Sequence, residues 1–388
     1  MTLKTSRRAD SIAPFIVMDV MRAANERAAS GKDVLHLEVG QPGQGAPQAV
    51  IEAARAALIG DKLGYTEAFG MPELRAAIAR HYRDAYALDV PAGRIVVTTG
   101  SSGGFLLAFL AAFDAGDRVA MAAPGYPAYR NILKALGIET IEIPTGAASR
   151  FQPTPAALDA LSGKIDGLIV ASPSNPAGTM LGEAELRALT QYCRARGIRL
   201  ISDEIYHGIV YGPRAHSSLA FGPDGVVINS FSKYFCMTGW RLGWMVLPED
   251  LVRPVERLAQ NFFISPPTLS QHAAIAAFEC RAELDARVRG YAESRALLLE
   301  ELPKAGFGLL APVDGAFYVY GDIAGLSNDS GRYCRELLAE TGIAVTPGTD
   351  FDPAEGHKYV RLSFAGERAD IAEAARRLVA RRGRRRPG

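Results

Sequence analysis

A lysine at the end of an apolar segment is the residue of this sequence best suited to nucleophilic chemistry. Lys233 directly follows the run VVINSFS, and Arg241 stands eight residues further along the chain. Burial at a strand end favours the uncharged form of a lysine, and an uncharged amine is a nucleophile. The alternative is a solvated strand end, where the stem of the lysine covers apolar surface and its amine stays in water.

Two other segments place polar residues at the ends of predicted strands. The strand at 94–99 runs into Gly100, Ser101 and Ser102 and then into an apolar helix, which can hold a phosphate on backbone N–H groups. A tight turn that needs glycine explains the same segment equally well. The strand at 199–202 ends at Asp203, whose carboxylate could meet a ligand at the sheet edge or cap a helix.

These candidates require a sheet that brings strand ends together. Apolar runs at 94–99, 118–123, 167–171, 199–202, 226–230 and 242–247 alternate with longer helical patterns. This alternation predicts an α/β fold with a large domain, whose mostly parallel sheet is flanked by helices. A long helix at 270–301 and short runs at 316–320, 343–346 and 358–364 predict a smaller α+β domain.

Composition and charge exclude several classes of protein. The chain has 388 residues, of which 48% are hydrophobic and 22% charged, as in globular proteins rather than disordered ones. The net charge of +1 gives no field that would attract nucleic acid. No apolar run approaches the roughly 20 residues of a membrane helix. The arginines at 381, 382 and 384–386 predict a frayed, solvated tail.

Cysteine and histidine spacing bears on metal binding and on location. The four cysteines show no paired spacing, and the six histidines show no HxxxH or HExxH pattern. We therefore expect neither a disulfide framework nor a metal site. A reducing, cytoplasmic location fits this pattern.

Nine short motifs stand along the chain in an order that is known from one enzyme family. They are GQP at 40–42, YT at 65–66, GSSG at 100–103, PGYP at 124–127, SPSNPAG at 172–178, DEIY at 203–206, SFSK at 230–233, GAF at 315–317 and RLSF at 361–364. On these motifs the chain resembles the pyridoxal-phosphate-dependent aminotransferases of fold type I, class I and II, over about residues 39–364. The resemblance implies pyridoxal 5′-phosphate as cofactor, and an amino acid and a 2-oxo acid as substrates of a ping-pong cycle.

The resemblance also implies roles for the residues around the cofactor ring. Lys233 would hold the cofactor as a Schiff base and then move a proton as general acid and base. Asp203 would pair with the pyridine nitrogen and keep it protonated. Tyr206 and Asn175 would hydrogen-bond the ring hydroxyl oxygen, and Tyr126 would stack on the ring face.

Further residues would hold the cofactor phosphate and the substrate carboxylate. Phosphate binding would fall to Ser101, Ser102, Ser230 and Arg241, while Tyr65 would reach the phosphate of the other subunit in a homodimer. Arg361 would clamp the α-carboxylate of the substrate through its forked donors, with the Gly40 backbone and Asn175 nearby.

The substrate side chain is predicted to be neutral. We find no second cation for a distal carboxylate, and Phe262 and Phe263 stand where the family builds its substrate entrance. An arginine of the N-terminal segment, such as Arg22, could still reach in.

The predicted domain organisation has three parts. Residues 1–45 form an N-terminal arm and part of the small domain, 46–285 the large cofactor-binding domain, and 286–388 the remainder of the small domain with the basic tail. A β-lyase of the same fold and a nicotinamide oxidoreductase are the alternative functions. A transcription regulator with an aminotransferase-like domain is not expected, because the resemblance begins near residue 39 and leaves no room for a DNA-binding domain.

Overall fold

A seven-stranded sheet forms the centre of the computed structural model, which describes residues 3–308 and 310–385. The strands of the chain are β1 (Leu35–His36), β2 (Ile95–Thr98), β3 (Arg118–Ala123), β4 (Glu139–Pro144), β5 (Gly167–Ala171), β6 (Arg199–Asp203), β7 (Val226–Ser230), β8 (Gly243–Val246), β9 (Tyr318–Asp322), β10 (Ile343–Ala344), β11 (Thr346–Pro347) and β12 (Tyr359–Ser363). The central sheet has the order β2-β8-β7-β6-β5-β3-β4. Strand β8 runs antiparallel to its two neighbours, β2 and β7, and the other neighbouring strands of this sheet pair in parallel. The predicted α/β fold with a mostly parallel sheet is confirmed.

Helices cover the sheet and the smaller strands. They are α1 (Arg7–Asp10), α2 (Ile16–Ala29), α3 (Gln48–Gly60), α4 (Pro72–Tyr86), α5 (Gly100–Ala112), α6 (Pro127–Leu136), α7 (Pro155–Asp159), α8 (Glu183–Arg196), α9 (Glu249–Phe262), α10 (Thr268–Ala277), α11 (Arg281–Lys304), α12 (Ser330–Thr341) and α13 (Arg368–Arg385). Helix α5 is apolar on all sides because it lies buried between the sheet strands β7 and β8 and the helices α6 and α9. Among the described residues, no helix is long and apolar enough to cross a membrane.

Two smaller sheets lie outside the central one. Strand β1 pairs in parallel with β10, so the N-terminal segment joins the C-terminal part of the chain. Strands β11, β12 and β9 form an antiparallel sheet in which Arg361 of β12 is opposite Thr346 of β11. The residue boundaries of the domains stay a prediction.

Strand β4 and the helices after β8 differ from the sequence prediction. Strand β4 was not predicted, because its sequence ETIEIP alternates polar and apolar residues at the edge of the sheet. The predicted helix at 270–301 is two helices, α10 and α11, which pack on different partners, α3 and α13. Phe278, at the interruption, packs against Phe231 and Phe235, with ring centroids 5.6 and 5.2 Å apart.

The prediction of a frayed tail is wrong for the part of the tail that the structure describes, although Arg384 is exposed to solvent as predicted. Helix α13 continues through Arg381, whose side chain is almost fully buried. The Arg381 Nε donates to Glu340 at 2.7 Å, and its guanidinium lies 5.0 Å from the centre of the Tyr333 ring. The acidic face of α12 therefore pairs with this arginine and holds the end of α13. Residues 386–388 lie outside the described residues.

Candidate active site

A cavity of about 190 Å³ opens where β5, β6 and β7 reach their carboxyl ends. Parallel α/β sheets bind ligands at this edge. Most of the residues singled out in the sequence meet here, although they lie far apart along the chain. The polar and charged side chains that line the cavity are Ser101, Ser102, Tyr126, Tyr129, Asn175, Asp203, Tyr206, Ser232, Lys233, Thr238, Arg241, Tyr318 and Arg361, and the Gly40 backbone also lines it.

Lys233 stands three residues beyond the end of β7 and points into the cavity. Its Nζ donates to the Gly40 carbonyl at 2.6 Å. The pKa of Lys233 is lowered to about 8, chiefly by burial and then by the nearby charge of Arg361, while the charge of Asp203 opposes the change. A sizeable fraction of the amine is therefore uncharged near neutral pH, as a nucleophile or base requires.

Asp203 ends β6, and its carboxylate is buried at the floor of the cavity. It accepts hydrogen bonds from the Tyr129 hydroxyl and, at 3.1 Å, from the Ile205 N–H. Burial raises the pKa of Asp203 and the two hydrogen-bond donors oppose this rise, so that the resulting pKa is about 6. The carboxylate can thus stay charged at neutral pH and pair with a cationic group of a ligand.

Helix α5 provides an anion-binding end at the cavity. It begins at Gly100, and within the described residues no side chain caps its N-terminus, which leaves first-turn N–H groups without an intrahelical partner. Ser101 and Ser102 stand in this turn, and Arg241 lies against it. Gly100 has φ +69°, and a Cβ there would come within 2.5 Å of the Arg241 Nη2. Glycine is therefore required for the guanidinium to approach the helix end, and the combination suits a phosphate.

Arg361 also lines the cavity and is 2% exposed. Its guanidinium donates to Asn175 Oδ1 at 3.0 Å, to Thr346 Oγ1 at 3.2 Å and to the Glu38 carbonyl. Its Nε is buried and has no hydrogen-bond partner among the described residues. The Tyr318 ring lies 4.5 Å from the guanidinium carbon. An unused donor on a fixed guanidinium suits a carboxylate ligand.

Aromatic side chains complete the walls between these charged groups. Tyr206 and Tyr318 share a hydrogen bond between their hydroxyls at 2.7 Å. Tyr126 precedes α6, and its ring meets that of Tyr129, one helical turn later, edge-on at 5.3 Å. A Cβ at Gly40 would lie 1.9 Å from the Tyr318 hydroxyl, so glycine is needed where the chain passes this pair.

Four residues named in the sequence analysis lie outside the cavity of their own chain. The Ser230 hydroxyl is buried and donates to the Leu242 carbonyl at 3.3 Å. Tyr65 is 84% exposed. Phe262 and Phe263 end α9 away from the lining. The predicted roles of Ser230 and Tyr65 stay predictions.

Arg22 does not reach the cavity, and the apolar lining comes from elsewhere. Arg22 pairs with Asp19 at 2.8 Å on the exposed side of α2, so it supplies no second cation. The apolar side of the cavity is formed instead by Phe15, Val17 and Met18, which we call the apolar wall. None of these three residues was predicted from the sequence.

Three polar lining residues were also missed. Tyr129 follows Tyr126 by one helical turn, and Tyr318 directly follows the GAF motif. Their distance from these residues could therefore have indicated that both line the site. Thr238 lies between Lys233 and Arg241, and its carbonyl accepts from the Arg241 Nη1 at 3.1 Å. Among the described residues, no group of His, Cys, Asp and Glu side chains is arranged to hold a metal ion.

Comparisons with known proteins agree with this geometry. Residues 32–378 match the family model described as aminotransferase class I and II. The chain is 53% identical to valine–pyruvate aminotransferase of Mycobacterium tuberculosis over 382 residues, which cover 97% of this chain and 98% of that protein. It is 33% identical over 380 residues to aspartate/prephenate aminotransferase of Thermus thermophilus, covering 96% of this chain and 97% of that protein.

Solved structures give the same result for the fold. A crystal structure of an aminotransferase from Mycobacterium tuberculosis superposes with a TM-score of 0.97 at 51% identity, covering 99% of this chain and 100% of that one. Aspartate aminotransferase from Thermus thermophilus with maleate gives a TM-score of 0.91 at 32% identity, covering 98% of this chain and 100% of that one. The chain therefore belongs to the class I and II aminotransferases, enzymes that transfer an amino group between an amino acid and a 2-oxo acid.

Proposed function

We propose that this aminotransferase carries pyridoxal 5′-phosphate on Lys233 and takes a neutral amino acid as its donor. The observation that carries the proposal is the arrangement of one partly buried lysine, one buried carboxylate and one helix N-terminus suited to an anion around a single cavity. These groups match an aldehyde, a pyridine nitrogen and a phosphate, respectively. The relatives named above are transaminases rather than lyases or nicotinamide oxidoreductases.

The cofactor, when bound, supplies an aldehyde that condenses with amines and a ring that accepts electrons from the substrate Cα. Lys233 would hold it covalently through Nζ, and once a substrate amine has displaced the lysine, the freed amine would take up and release the proton at Cα. Asp203 would keep a proton on the ring nitrogen, because its negative charge stabilises the protonated form. Ser101, Ser102 and Arg241 would hold the phosphate, and Ser230 and Tyr65 remain proposed contributors.

The substrate end of the site supports a neutral donor. Arg361 fits the α-carboxylate that every amino acid carries, with Asn175 and the Gly40 backbone beside it. The cations that line the cavity are Lys233, Arg241 and Arg361, each already assigned, and no further cation lines it within the described residues. A distal carboxylate against the apolar wall would be buried without a partner, which is costly. The relative at 53% identity is named for valine and pyruvate, and valine fits this description.

We also propose a homodimer with shared active sites. Tyr65 is 84% exposed, and Leu58, Ile59, Phe262 and Ile264 are exposed by 59, 84, 54 and 52%. Exposed apolar groups of this size mark protein interfaces, and a two-fold axis would repeat each contact twice. A cytoplasmic location is proposed as well, since the four cysteines are free and buried, as suits a reducing compartment.

The amino donor is tested by single-turnover kinetics. The enzyme loaded with pyridoxal 5′-phosphate is mixed with alanine, valine, leucine, methionine, phenylalanine, aspartate or glutamate, without a 2-oxo acid. If a neutral donor converts the bound cofactor to its amine form while no 2-oxo acid is present, the result supports both the donor class and a ping-pong cycle. An acidic donor that reacts about tenfold faster, or about 1.4 kcal/mol better, than every neutral one would contradict the neutral site. A further substrate with a leaving group at Cβ, such as S-methylcysteine, tests the lyase alternative, because release of pyruvate and ammonia from it without a 2-oxo acid would show a lyase.

A further inference from the structure

The first turn of α2 is held by a carboxylate from a distant part of the chain. The N–H groups of Ile16 and Val17 donate to the two carboxylate oxygens of Asp350, at 3.1 and 3.3 Å. Asp350 is 4% exposed, and Phe15, at the N-cap of α2, makes no side-chain capping bond. A carboxylate is favourable here because it meets unpaired N–H groups at the positive end of the helix dipole.

The residues held in this way are those of the apolar wall. Phe15, Val17 and Met18 lie within or next to the turn that Asp350 binds, and all three line the active-site cavity. Val17 is 6% exposed, whereas Met18 is 51% exposed. The Phe15 ring meets the Tyr126 ring edge-on at 5.8 Å. The position of the first turn of α2 therefore sets the position of the wall.

The segment 346–351, which carries Asp350, also supports the other end of the substrate site. Thr346 Oγ1 accepts from the Arg361 Nη2 at 3.2 Å, and the Phe351 ring lies 4.8 Å from the Arg361 guanidinium carbon. The Phe351 carbonyl accepts from the Gly125 N–H at 3.0 Å, which ties the segment to the turn before α6. One segment thus contacts both the carboxylate-binding arginine and the helix that carries the apolar wall.

We propose that Asp350 is a positioning residue that sets the preference for larger apolar amino donors, by holding the apolar wall at a fixed distance from Arg361. This inference rests on the proposed function, since it takes Arg361 as the carboxylate site. One methylene group in a rigid apolar pocket changes selectivity by about 10- to 200-fold. An apolar wall that is free to move would lose part of this selectivity. Alanine has only a methyl group to place against the wall, so it depends on the wall much less than valine does.

The test compares Asp350→Ala and Asp350→Asn with a matched control, Asp352→Ala. Asp352 is also buried, at 7% exposed, and its carboxylate also accepts two backbone N–H groups, those of Ala354 and Glu355 at 2.9 and 3.0 Å. Those bonds stay within its own loop and do not involve α2. Asp350→Asn keeps the shape of the side chain, so it provides a second variant if Asp350→Ala folds poorly.

Two readouts are needed, and one does not depend on catalysis. Amide hydrogen exchange should accelerate about tenfold or more at both Ile16 and Val17 in Asp350→Ala, which loses both acceptor oxygens, and at one of the two in Asp350→Asn, whose amide keeps a single acceptor oxygen. It should stay unchanged in Asp352→Ala. In steady-state kinetics KM for valine should rise about tenfold in Asp350→Ala, while kcat and the KM for alanine change by less than about threefold.

The outcomes distinguish a failure of the role of Asp350 from a failure of the proposed function. Equal losses for valine and alanine, or unchanged exchange at Ile16 and Val17, would overturn the role of Asp350 and leave the proposed function standing. A wild-type enzyme that uses no neutral donor would contradict the proposed function itself, and this is seen before any variant is measured. A fall in the valine-to-alanine ratio of kcat/KM together with faster exchange supports the positioning role.

Discussion

Removal of the Tyr129 hydroxyl should make Asp203 a weaker acid and move the pH range in which the cofactor binds. Tyr129 donates to the buried Asp203 carboxylate, and within the described residues the other donor to that carboxylate is the Ile205 N–H. Burial raises the pKa of Asp203 to about 6 against the effect of both donors. Tyr129→Phe removes a bond that stabilises the charged form, so the pKa must rise further.

The size of the change follows from the strength of the lost bond. A hydrogen bond to a charged group contributes about 1.5–3 kcal/mol, and about 1.4 kcal/mol corresponds to one pH unit in pKa, so the pKa should rise by about one to two. With a pKa of about 6, roughly nine-tenths of Asp203 is ionised at pH 7. In Tyr129→Phe the ionised fraction at pH 7 should fall to about one-tenth to one-half.

Cofactor affinity reports this change, because Asp203 must be ionised to pair with the ring nitrogen. We would titrate pyridoxal 5′-phosphate into cofactor-free protein between pH 5 and 9 and follow its absorbance. The acid-side midpoint should move to higher pH in Tyr129→Phe. Tyr192→Phe is the matched control, since Tyr192 donates to Asp159 at 2.8 Å on the surface. An unchanged midpoint in Tyr129→Phe, or one moved to lower pH, would refute the reasoning.

Three further predictions use other substitutions. Arg361→Lys should lower kcat/KM for all amino donors by about 100-fold, measured in steady state, because an amine cannot replace the forked contact; a loss confined to one donor would contradict a role at the α-carboxylate. Gly40→Ala should destabilise the fold by about 1–3 kcal/mol in urea unfolding, because its Cβ would lie 1.9 Å from the Tyr318 hydroxyl; an unchanged midpoint would show that this ring moves freely. Hybrid dimers of Tyr65→Phe with Lys233→Ala should contain one intact site if sites are shared, so their activity per Lys233-bearing subunit should equal that of the wild type; activity per such subunit equal to that of the Tyr65→Phe parent would contradict sharing.

The central sheet could be predicted because its strands are buried on both faces. Strands β3, β5 and β7 have the predicted boundaries, since a strand covered on both sides becomes a continuous apolar run between turns. Strand β4 lies at the edge and carries Glu139 and Glu142, so its pattern lacks that signal. The break before α11 carries no proline or glycine and depends on tertiary packing around Phe278.

Several polar and charged residues of the site could be predicted because they stand at the ends of strands. Lys233, Asp203 and Ser101 stand at or just beyond strand ends, and the topology of a parallel sheet collects such positions. The contact of Asp350 with α2 joins positions more than 330 residues apart, so no local pattern marks it. The partner of Arg381 lies on another helix, and for this reason its burial could not be read from a run of arginines.

The most direct test of the account is the identity of the lysine that binds the cofactor. The protein would be incubated with pyridoxal 5′-phosphate, reduced with borohydride and mapped by peptide mass spectrometry, with Lys233→Ala as control. We predict a stable label on Lys233, because it is the one lysine that lines the cavity within the described residues. A label on another lysine, an unlabelled wild-type protein, or an equally labelled Lys233→Ala would contradict the account.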